Sequence, residues 1–293
     1  MKSAMKSAAT SGVTPAMTPT MTPAIRWAVA GALVGALGAT VAFAPARWAA
    51  WALLQASQGR VVLGQAQGTV WSGQARITLT GGPGSRDALT LPGELAWNAG
   101  WIWDGKGPGL QAPALGLTLR HPDLMPAPLV MSLQPGLTSW SLRLDGASAP
   151  GTALRWPAAW LTALGTPWNT LQPSGQLRLS SPGFTLLMAP GGLRLQGSVV
   201  LEATDIASRL STLPRLGSYR VVVAGTGNGR EAATLQLNTL DGALLLSGSG
   251  QWTGARLRLR GEARAAPGQE AALQNLLNLI GTRDGARSVL SIG

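Results

Sequence analysis

The residue types that carry most enzyme chemistry are scarce in this chain. His121 is the sole histidine, cysteine is absent, and the 12 acidic residues are scattered along 293 residues. A Ser-His-Asp triad would have to use His121, yet no G-x-S-x-G nucleophile elbow occurs. A zinc site needs several His or Cys ligands. We therefore predict no catalytic residues, no metal site and no cofactor. We interpret His121 as a surface or capping histidine in a loop.

One short segment matches most of a nucleotide-binding loop. Gly100 to Lys106 has the G-x-x-x-x-G-K spacing, in which backbone amides and a lysine bind phosphate groups. Coordination of Mg²⁺ requires Ser or Thr at the next position, where this chain has Gly107. The residues between the two glycines also have the composition of a strand. We interpret the match as coincidental. A third interpretation, a periplasmic hydrolase, is disfavoured because the sequence offers no catalytic site.

The longest charge-free segment lies near the N-terminus. Trp27 to Ala46 contains no charged residue and is flanked by Arg26 and Arg47. A helix of this length crosses a hydrocarbon core about 30 Å thick. Basic residues without acidic ones precede it, which favours a cytoplasmic N-terminus and a translocated remainder. Tryptophans lie where indole rings favour the lipid–water boundary, namely Trp27, Trp48 and Trp51.

A cleaved signal peptide is the alternative interpretation of this segment. Ala42 to Ala44 has the small-x-small form of a cleavage site. However, the apolar run is longer than in a typical signal peptide, and cleavage after Ala44 would leave Pro45 first. We therefore expect an uncleaved anchor. The predicted organisation is a disordered cytoplasmic N-terminus (1–24), a transmembrane anchor (25–47) and a periplasmic β-rich domain (48–293), with a candidate division into halves near 111–150.

The remainder of the chain is dominated by short segments in which apolar and polar residues alternate. Such alternation, bounded by glycine and proline, predicts antiparallel strands with one apolar and one polar side. The clearest segments are Gln74–Thr80, Leu115–Arg120, Gly175–Ser180, Gly192–Leu201, Tyr219–Ala224, Ala233–Leu240 and Gly254–Glu262, with a last strand expected near Ser288–Ile292. The predicted fold class is mainly β: a curved antiparallel sheet that follows one transmembrane helix.

Three segments have helical signals and are predicted to be short helices that cover the sheet. Trp156–Leu164 has a proline near its start and a glycine after its end. Ile206–Leu213 follows Asp205, a favourable N-cap residue, and stops before a proline. Gln269–Ile280 has an apolar stripe at helical spacing, and Gly281 after it is a candidate C′ residue.

Aromatic and basic patterns give two candidate partner surfaces. Trp101 and Trp103 share one face of a strand; we expect that face to lie in the core, and an exposed aromatic surface for a partner is the alternative. Alternating arginines share a second strand face, which is either simply solvated or binds anions such as phospholipid headgroups; they are Arg256, Arg258 and Arg260. No basic patch is interleaved with aromatics, which argues against nucleic acid as a partner.

Several of these features occur in an order that is similar to one known family. A G-x-V-W-x-G segment begins at Gly68, a further tryptophan lies on the next strand, and a leucine-rich segment closes with glycine and Asp-Gly. From about Leu53 to Gly293, the chain resembles the type II secretion system protein N family (GspN). The resemblance assigns a structural role to eight positions, Gly68, Val70, Trp71, Gly73, Trp97, Gly281, Asp284 and Gly285.

The resemblance implies an accessory component of the machine that exports folded proteins across the outer membrane. It implies a location in the inner membrane, a periplasmic body, other secretion components as partners and no catalysis. An alternative of a different class is an AsmA- or TamB-like anchored protein, whose curved sheet carries lipid for transport or envelope integrity. A scaffold is expected to cover its sheet with helices, whereas a lipid conduit is expected to leave an open apolar trough.

Overall fold

The computed structural model describes residues 23–104, 112–136, 138–145, 154–166, 168–190, 192–226, 233–253 and 256–292. The chain divides into two compact units, Met1–Phe43 and Ala44–Gly293. Most of the predicted N-terminal tail, residues 1–22, lies outside the described residues.

The described part of the first unit is one helix, α1 (Pro23–Ala42). Its large apolar side chains are exposed, among them Trp27, Leu33, Val34 and Leu37. Within the described residues, no helix combines the length and the hydropathy that a membrane-spanning segment requires. The predicted anchor at 25–47 stays a prediction.

The second unit begins with helix α2 (Ala46–Ala56) and then consists mainly of strands. Its described residues form sixteen strands: β1 (Val61–Gly68), β2 (Ser72–Thr80), β3 (Ala88–Thr90), β4 (Leu95–Asp104), β5 (Ala112–Arg120), β6 (Leu129–Pro135), β7 (Trp140–Asp145), β8 (Leu154–Pro157), β9 (Pro173–Ala189), β10 (Gly192–Ser208), β11 (Gly217–Thr226), β12 (Thr234–Gly242), β13 (Leu244–Thr253), β14 (Arg256–Ala265), β15 (Thr282–Asp284) and β16 (Arg287–Ile292). The helices among them are a 3-10 helix (Ala158–Leu164), α3 (Trp168–Leu171) and α4 (Glu270–Ile280). The mainly β prediction is confirmed, and the described part of each predicted alternating segment falls on a strand, apart from Ala233, which precedes β12. Gly254 and Ala255, at the start of the last segment, lie outside the described residues.

The sixteen strands form one open sheet in which each recorded pairing is antiparallel. The strand order is β1-β2-β4-β5-β6-β7-β9-β10-β11-β12-β13-β14-β16-β15, with β3 beside β2 and β8 beside β9. Neighbours in space are therefore mostly neighbours in sequence. The segment from 111 to 150 supplies β5, β6 and β7 to this same sheet.

The strand register places apolar residues opposite apolar residues across many strands. One row runs through Trp101, Leu115, Leu133, Leu142, Leu186 and Leu195, on β4, β5, β6, β7, β9 and β10. A neighbouring row on the other side is polar and runs through Ser132, Arg143, Thr185 and Gln196. Because directly opposed residues share a face, the sheet has one apolar and one polar side.

Helices cover the apolar side at its two lateral ends. Near β1, Ala46 of α2 packs with Ala75 and Trp97. Near β14, α4 packs its Leu273, Leu276 and Leu277 against Leu216, Leu244 and Ala263. The buried Ser288 hydroxyl donates a hydrogen bond of 2.6 Å to the Leu277 carbonyl, one of the four that the end of α4 leaves unpaired.

The first half of the sheet is curved. The 3-10 helix contacts β2 and β3 as well as β9, although four strands separate β2 from β9 in the strand order. Four intervening strands would hold β2 and β9 roughly 24 Å apart in a flat sheet. Asn169 of α3 also donates a hydrogen bond of 3.1 Å to Asp87 beside β3. The predicted curvature of the sheet therefore holds for β2 to β9.

The helix predicted at Ile206–Leu213 is wrong. Strand β10 continues to Ser208, with a register shift between Ala203 and Ile206. Asp205 adopts a φ of 52° there, and its carboxylate pairs with Arg215 at 2.7 Å instead of capping a helix. The Ile206 carbonyl accepts the backbone N–H of Leu216. Sheet pairing has therefore overridden a local capping signal.

Two other helix predictions need partial correction. Within Trp156–Leu164, the first two residues belong to β8 and the rest form a 3-10 helix. Gln269–Ile280 is confirmed as α4, which begins at Glu270. Gly281, however, has an extended φ of −168° rather than a left-handed one. Glycine is needed because a Cβ atom there would lie 2.5 Å from the Val289 carbonyl oxygen.

We predict that Leu277→Ala lowers the free energy of unfolding by about 2–5 kcal/mol, because truncating a fully buried leucine leaves a cavity. Leu277 is 2% exposed. Leu279 of the same helix is 55% exposed, so Leu279→Ala is the matched control and should change stability by at most about 0.5 kcal/mol. Urea denaturation followed by tryptophan fluorescence measures both, and equal stability of the two variants would contradict the described packing.

Candidate functional site

Five of the eight family-pattern positions meet at the turn between β1 and β2. Gly68 has a φ of 89°, and a Cβ atom there would overlap the Ser72 carbonyl oxygen. A Cβ atom on Gly73 would lie 2.5 Å from the Trp97 ring. Val70 donates its backbone N–H to the Ala44 carbonyl at 2.9 Å. We call Gly68, Val70, Trp71, Gly73 and Trp97 the entry cluster.

Trp97 connects this turn to the rest of the unit. Its indole Nε1–H donates to the carbonyls of Thr69 at 3.3 Å and Val70 at 3.2 Å, while the ring is only 7% exposed. The Trp71 carbonyl accepts the Ala99 N–H at 2.6 Å. The entry cluster thus fixes the start of the second unit to β2 and β4.

The other three family-pattern positions lie near the C-terminus. Asp284 accepts hydrogen bonds from Arg287 at 2.9 and 3.1 Å across the turn between β15 and β16. Gly285 is the first residue of that two-residue turn and has a φ of 63°, as a type II′ hairpin requires. Gly281 allows the close approach of Val289 described above. All eight positions therefore act in turns and close packing.

The expectation that Trp101 and Trp103 lie in the core is wrong. Trp101 is 62% exposed and Trp103 is 73% exposed, although both share the apolar side of the sheet with Trp97. The physical reason is that the described part of α2 covers β1 and β2, and these two residues extend beyond the turn between those strands.

The same part of β4 has an unpaired edge. Strand β2 pairs with β4 only along Leu95–Asn98, whereas β5 pairs with the opposite edge as far as Asp104. Beyond the Ala99 contact with Trp71, no described strand lies along this edge. Backbone N–H and C=O groups of alternate residues are therefore open to a partner strand, a feature that most folded proteins protect.

The arginine stripe has the predicted alternation where its side chains are described. Arg258 and Arg260 are exposed on β14, and Leu259 between them is half-buried. Arg256 lies on the same strand, and its side chain is outside the described residues. Arg260 lines an open cleft of about 630 Å³ together with Arg287 and Glu262, which are themselves paired at 3.3 Å. An acidic residue thus shares the cleft with the basic stripe.

The polar side of the sheet carries a second open cleft, beside the entry cluster. Its volume is about 590 Å³, and its polar lining includes Gln67, Ser72, Gln74, Asn98, Thr118 and Arg120. Within the described residues, no group of three His, Cys, Asp or Glu side chains is placed to hold a metal ion. The arrangement offers hydrogen-bonding amides and hydroxyls, without a clustered acid, base and nucleophile.

His121 is a buried capping residue. Its ring is 2% exposed, so the surface interpretation is wrong, while the capping interpretation is confirmed. The Nδ1 atom accepts the backbone N–H groups of Asp123 at 3.2 Å and Leu124 at 3.3 Å. Two accepted bonds at Nδ1 place the proton of the neutral ring on Nε2, which is buried without a described partner. Burial lowers the pKa of His121, against the smaller opposing effect of the Asp123 charge.

Together these features define a class of protein: an open single-sheet β protein whose eight family-pattern positions lie in turns and close packing, and which exposes two tryptophans on one strand. Comparison with protein families identifies the family within this class. Residues 59–290 match the family model described as type II secretion system (T2SS), protein N, and the chain belongs to this family. No curated protein and no solved structure shows significant similarity to the chain.

The sequence identified these residues as candidates but did not predict their surroundings in the folded protein. The unpaired edge of β4 depends on where β2 begins, at Ser72, and nothing in the alternation of either strand marks that point. The G-x-V-W-x-G segment was a usable signal, since its glycine at 68 and its tryptophan at 71 bracket the turn that ends the pairing.

We predict that Gly73→Ala destabilises the protein by about 1–3 kcal/mol, the usual cost of overpacking a filled site. The added methyl group would meet both the Trp97 ring and the Gln67 carbonyl oxygen at 2.5 Å. Gly100→Ala on β4 is the matched control, because no atom lies within 4 Å of its added Cβ. Chemical denaturation compares the two; a Gly73→Ala protein as stable as the Gly100→Ala protein would contradict the packing of the entry cluster.

We also predict a specific pH dependence at His121. Because its pKa is lowered in the folded state, the stability due to the neutral ring is complete above the unfolded pKa of about 6.5 and declines as pH falls towards the folded pKa. His121→Asn keeps an acceptor but cannot titrate. The stability of the parent relative to this variant should therefore decrease as pH falls below about 6.5. A difference in unfolding free energy that stays constant between neutral and acidic pH would refute this.

Proposed function

We propose that the protein is a non-enzymatic accessory component of the type II secretion system, held in the inner membrane with its β-rich body in the periplasm. The observation that carries this proposal is the family match, which spans nearly all of the second unit. The scattered distribution of His121 and the 12 acidic residues is consistent with binding rather than catalysis.

The anchored topology is supported by the sequence before the sheet. The segment between Arg26 and Arg47 lacks charge, and the described side chains of α1 present exposed apolar surface. Basic residues without acidic ones precede the segment, which favours retention of the N-terminus in the cytoplasm. The 19 basic and 12 acidic residues that follow Arg47 then belong to the translocated body.

Partner binding by the body is best supported at β4. Extended peptides commonly bind by adding a strand to an open sheet edge, where backbone hydrogen bonds supply affinity and side-chain contacts supply specificity. The edge beyond Ala99 offers the hydrogen-bonding groups, and Trp101 and Trp103 offer large apolar contacts beside it. The arginines at 256, 258 and 260 remain a second candidate partner surface, for an anionic group.

One observation favours the second candidate function, lipid transport or envelope integrity. The apolar rows continue across strands β4 to β10. Among the described helices, α2 and α4 lie near the two lateral ends, the 3-10 helix contacts β2, β3 and β9, and the Leu171 carbonyl of α3 accepts a hydrogen bond from Ser208 of β10. Helical coverage of the ends is the property expected of a scaffold, and exposed apolar surface between them is the property expected of a lipid conduit. We rank the secretion role above lipid transport because the family match supports it.

A deletion and complementation experiment tests these functions. Deleting the gene should leave exoproteins in the periplasm, and the parent gene or His121→Ala should restore export. A gene with Trp101→Ser and Trp103→Ser should not restore it, whereas Leu240→Ser, at a 47% exposed apolar residue of β12, should. Immunoblots establish equal protein levels.

Other outcomes would overturn the proposal. Loss of rescue by His121→Ala at normal protein level would indicate a catalytic role. Normal export after deletion, combined with an outer membrane permeable to detergent, would replace secretion with the lipid-transport alternative. Normal export with an intact outer membrane would refute both functions.

A further inference from the structure

We propose that two copies of this chain associate through the free edge of β4, where the β4 strand of each copy adds to the sheet of the other in antiparallel orientation. This inference rests on the partner-binding role proposed above for that edge, and it names the occupant as a second copy of the chain. Trp101 of one copy lies opposite Trp103 of the other, and the two sheets join into one.

The free edge of β4 offers the backbone groups of Trp101 and Trp103. The N–H of Ala99 points to the β2 side, where it donates to the Trp71 carbonyl. Backbone groups of alternate residues point to the same edge of an antiparallel strand, so those of Trp101 and Trp103 face this side as well. Pro113 agrees with this assignment, because it lies opposite Trp103 on β5 and has no N–H to donate there.

This part of β4 lacks the features by which folded proteins protect a strand edge. Residues 100–103 include no charged residue and no proline, and the register with β5 continues unbroken to Asp104. Ile102 is 40% exposed, on the side of the sheet opposite to the two tryptophans. An uncharged, regular edge of this kind is a template for pairing with another strand.

The β4 strand of a second copy satisfies the hydrogen-bonding requirements of this edge. In an antiparallel pair, hydrogen bonds are exchanged between opposed residues whose backbone groups both face the partner strand. Two identical strands meet this condition when the centre of the pair falls on a residue rather than between two residues. With the centre on Ile102, Trp101 of each copy lies opposite Trp103 of the other, in two equivalent hydrogen-bonded pairs.

Among the possible centres, Ile102 is the one that uses the free segment completely. Residues 100–104 of the two copies then oppose one another and stop beside Ala99, whose N–H is already bonded to the turn before β2. A centre one residue earlier would place the second strand beside Asn98, where β2 already pairs. A centre one residue later would leave Trp101 opposite position 105, beyond the end of β4.

The side chains of this pair account for the exposure of the two tryptophans. Directly opposed aromatic residues stabilise an antiparallel pair, and the crossed arrangement brings four indole rings together on one side of the joined sheet. In the separate copies these four rings expose roughly 600–700 Å² in total. Stable protein interfaces bury about 1,200–2,000 Å², so we expect a weak dimer that depends on concentration.

Symmetry favours β4 over other strands of the second copy. A pair of β4 strands is related by a two-fold axis perpendicular to the sheet, so each free edge covers the other and the assembly closes at two copies. Addition of a different strand would be a head-to-tail contact, which repeats from copy to copy into an open filament. The two-fold pair is therefore the arrangement that leaves no further edge of β4 uncovered.

Disulfide cross-linking of the full chain tests the pairing, since the sequence has no cysteine. Ile102→Cys places two thiols opposite each other. The Cα atoms of such a pair, which exchanges no hydrogen bonds, lie about 4.5 Å apart, within the range of about 4.4–6.8 Å that disulfides require. Gly100→Cys is the register control, because the two positions 100 lie four residues apart along the strands, or roughly 13 Å. Leu240→Cys, at a 47% exposed residue of β12, measures random collision.

The full-length variants are purified in detergent micelles and oxidised with copper phenanthroline, and dimers are measured on non-reducing gels. Ile102→Cys should form dimers at least about tenfold faster than either control, because paired thiols have a high effective concentration. Adding Trp101→Ser and Trp103→Ser to this variant should lower the rate by roughly tenfold, since both aromatic pairs are lost. Far-UV circular dichroism establishes that each variant keeps its strand content.

Equal rates for Ile102→Cys and Leu240→Cys would overturn the proposal, and cross-linking at position 100 as fast as at 102 would do the same. A photoreactive label on Ile102→Cys that captures only a protein of different mass in native membranes assigns the edge to another partner and also overturns it. Cross-linking is measured independently of export. Failure to cross-link therefore removes the dimer and leaves the secretion role, whereas normal export after gene deletion removes the secretion role and leaves the dimer.

Discussion

The structure depends on one constraint: a single sheet with one apolar side has no second sheet to cover it. In a β-sandwich, two such sides face each other and form the core. Here the cover comes from short elements, with α2 over β1 and β2 and α4 over β13 to β16. Each of the two helices packs against a strand that has a small buried residue, Ala75 on β2 or Ala263 on β14, and this lets the helix approach the strands closely. The two best-buried clusters of the described residues consequently lie at the lateral ends of the sheet.

The entry cluster is the group of residues that fixes one lateral end of this sheet. The Trp97 ring occupies the space that a side chain at position 73 would need, so a glycine is required there. The indole N–H of Trp97 also donates a hydrogen bond to the Val70 carbonyl in the turn. The same turn receives the Ala44 carbonyl, which ties the start of the second unit to the sheet. Motif residues at this turn thus determine where the second unit begins and which strand extends beyond the turn. Six of the eight positions identified by the resemblance are glycine or tryptophan, which agrees with a role in turns and packing.

Much of the fold could be predicted because the alternating pattern is local. Strand segments such as Tyr219–Ala224 and the helix over Leu273 to Ile280 follow from period-two and helical spacing alone. The predictions that were wrong concern residues whose conformation or exposure depends on partners distant in the sequence. Asp205 has the signature of an N-cap, yet Arg215 and the pairing of Ile206 with Gly217 place it in a strand irregularity. The exposure of Trp103 likewise depends on where β2 begins, which no feature of β4 encodes.

Tryptophan is far more abundant in this chain than the other aromatic residues, and most of the described tryptophans are exposed rather than buried. The chain has 12 tryptophans against two phenylalanines and one tyrosine. If these rings served mainly to fill the core, phenylalanine and leucine would do so without an N–H group that needs a partner. Among the described residues, only Trp97 is a buried tryptophan, and it uses that N–H in two hydrogen bonds. Seven others are exposed: Trp27, Trp48, Trp51, Trp101, Trp103, Trp140 and Trp168. Rings with an apolar body and a polar edge suit boundaries between apolar and aqueous phases, so most of these tryptophans supply surface for contact rather than fill a core.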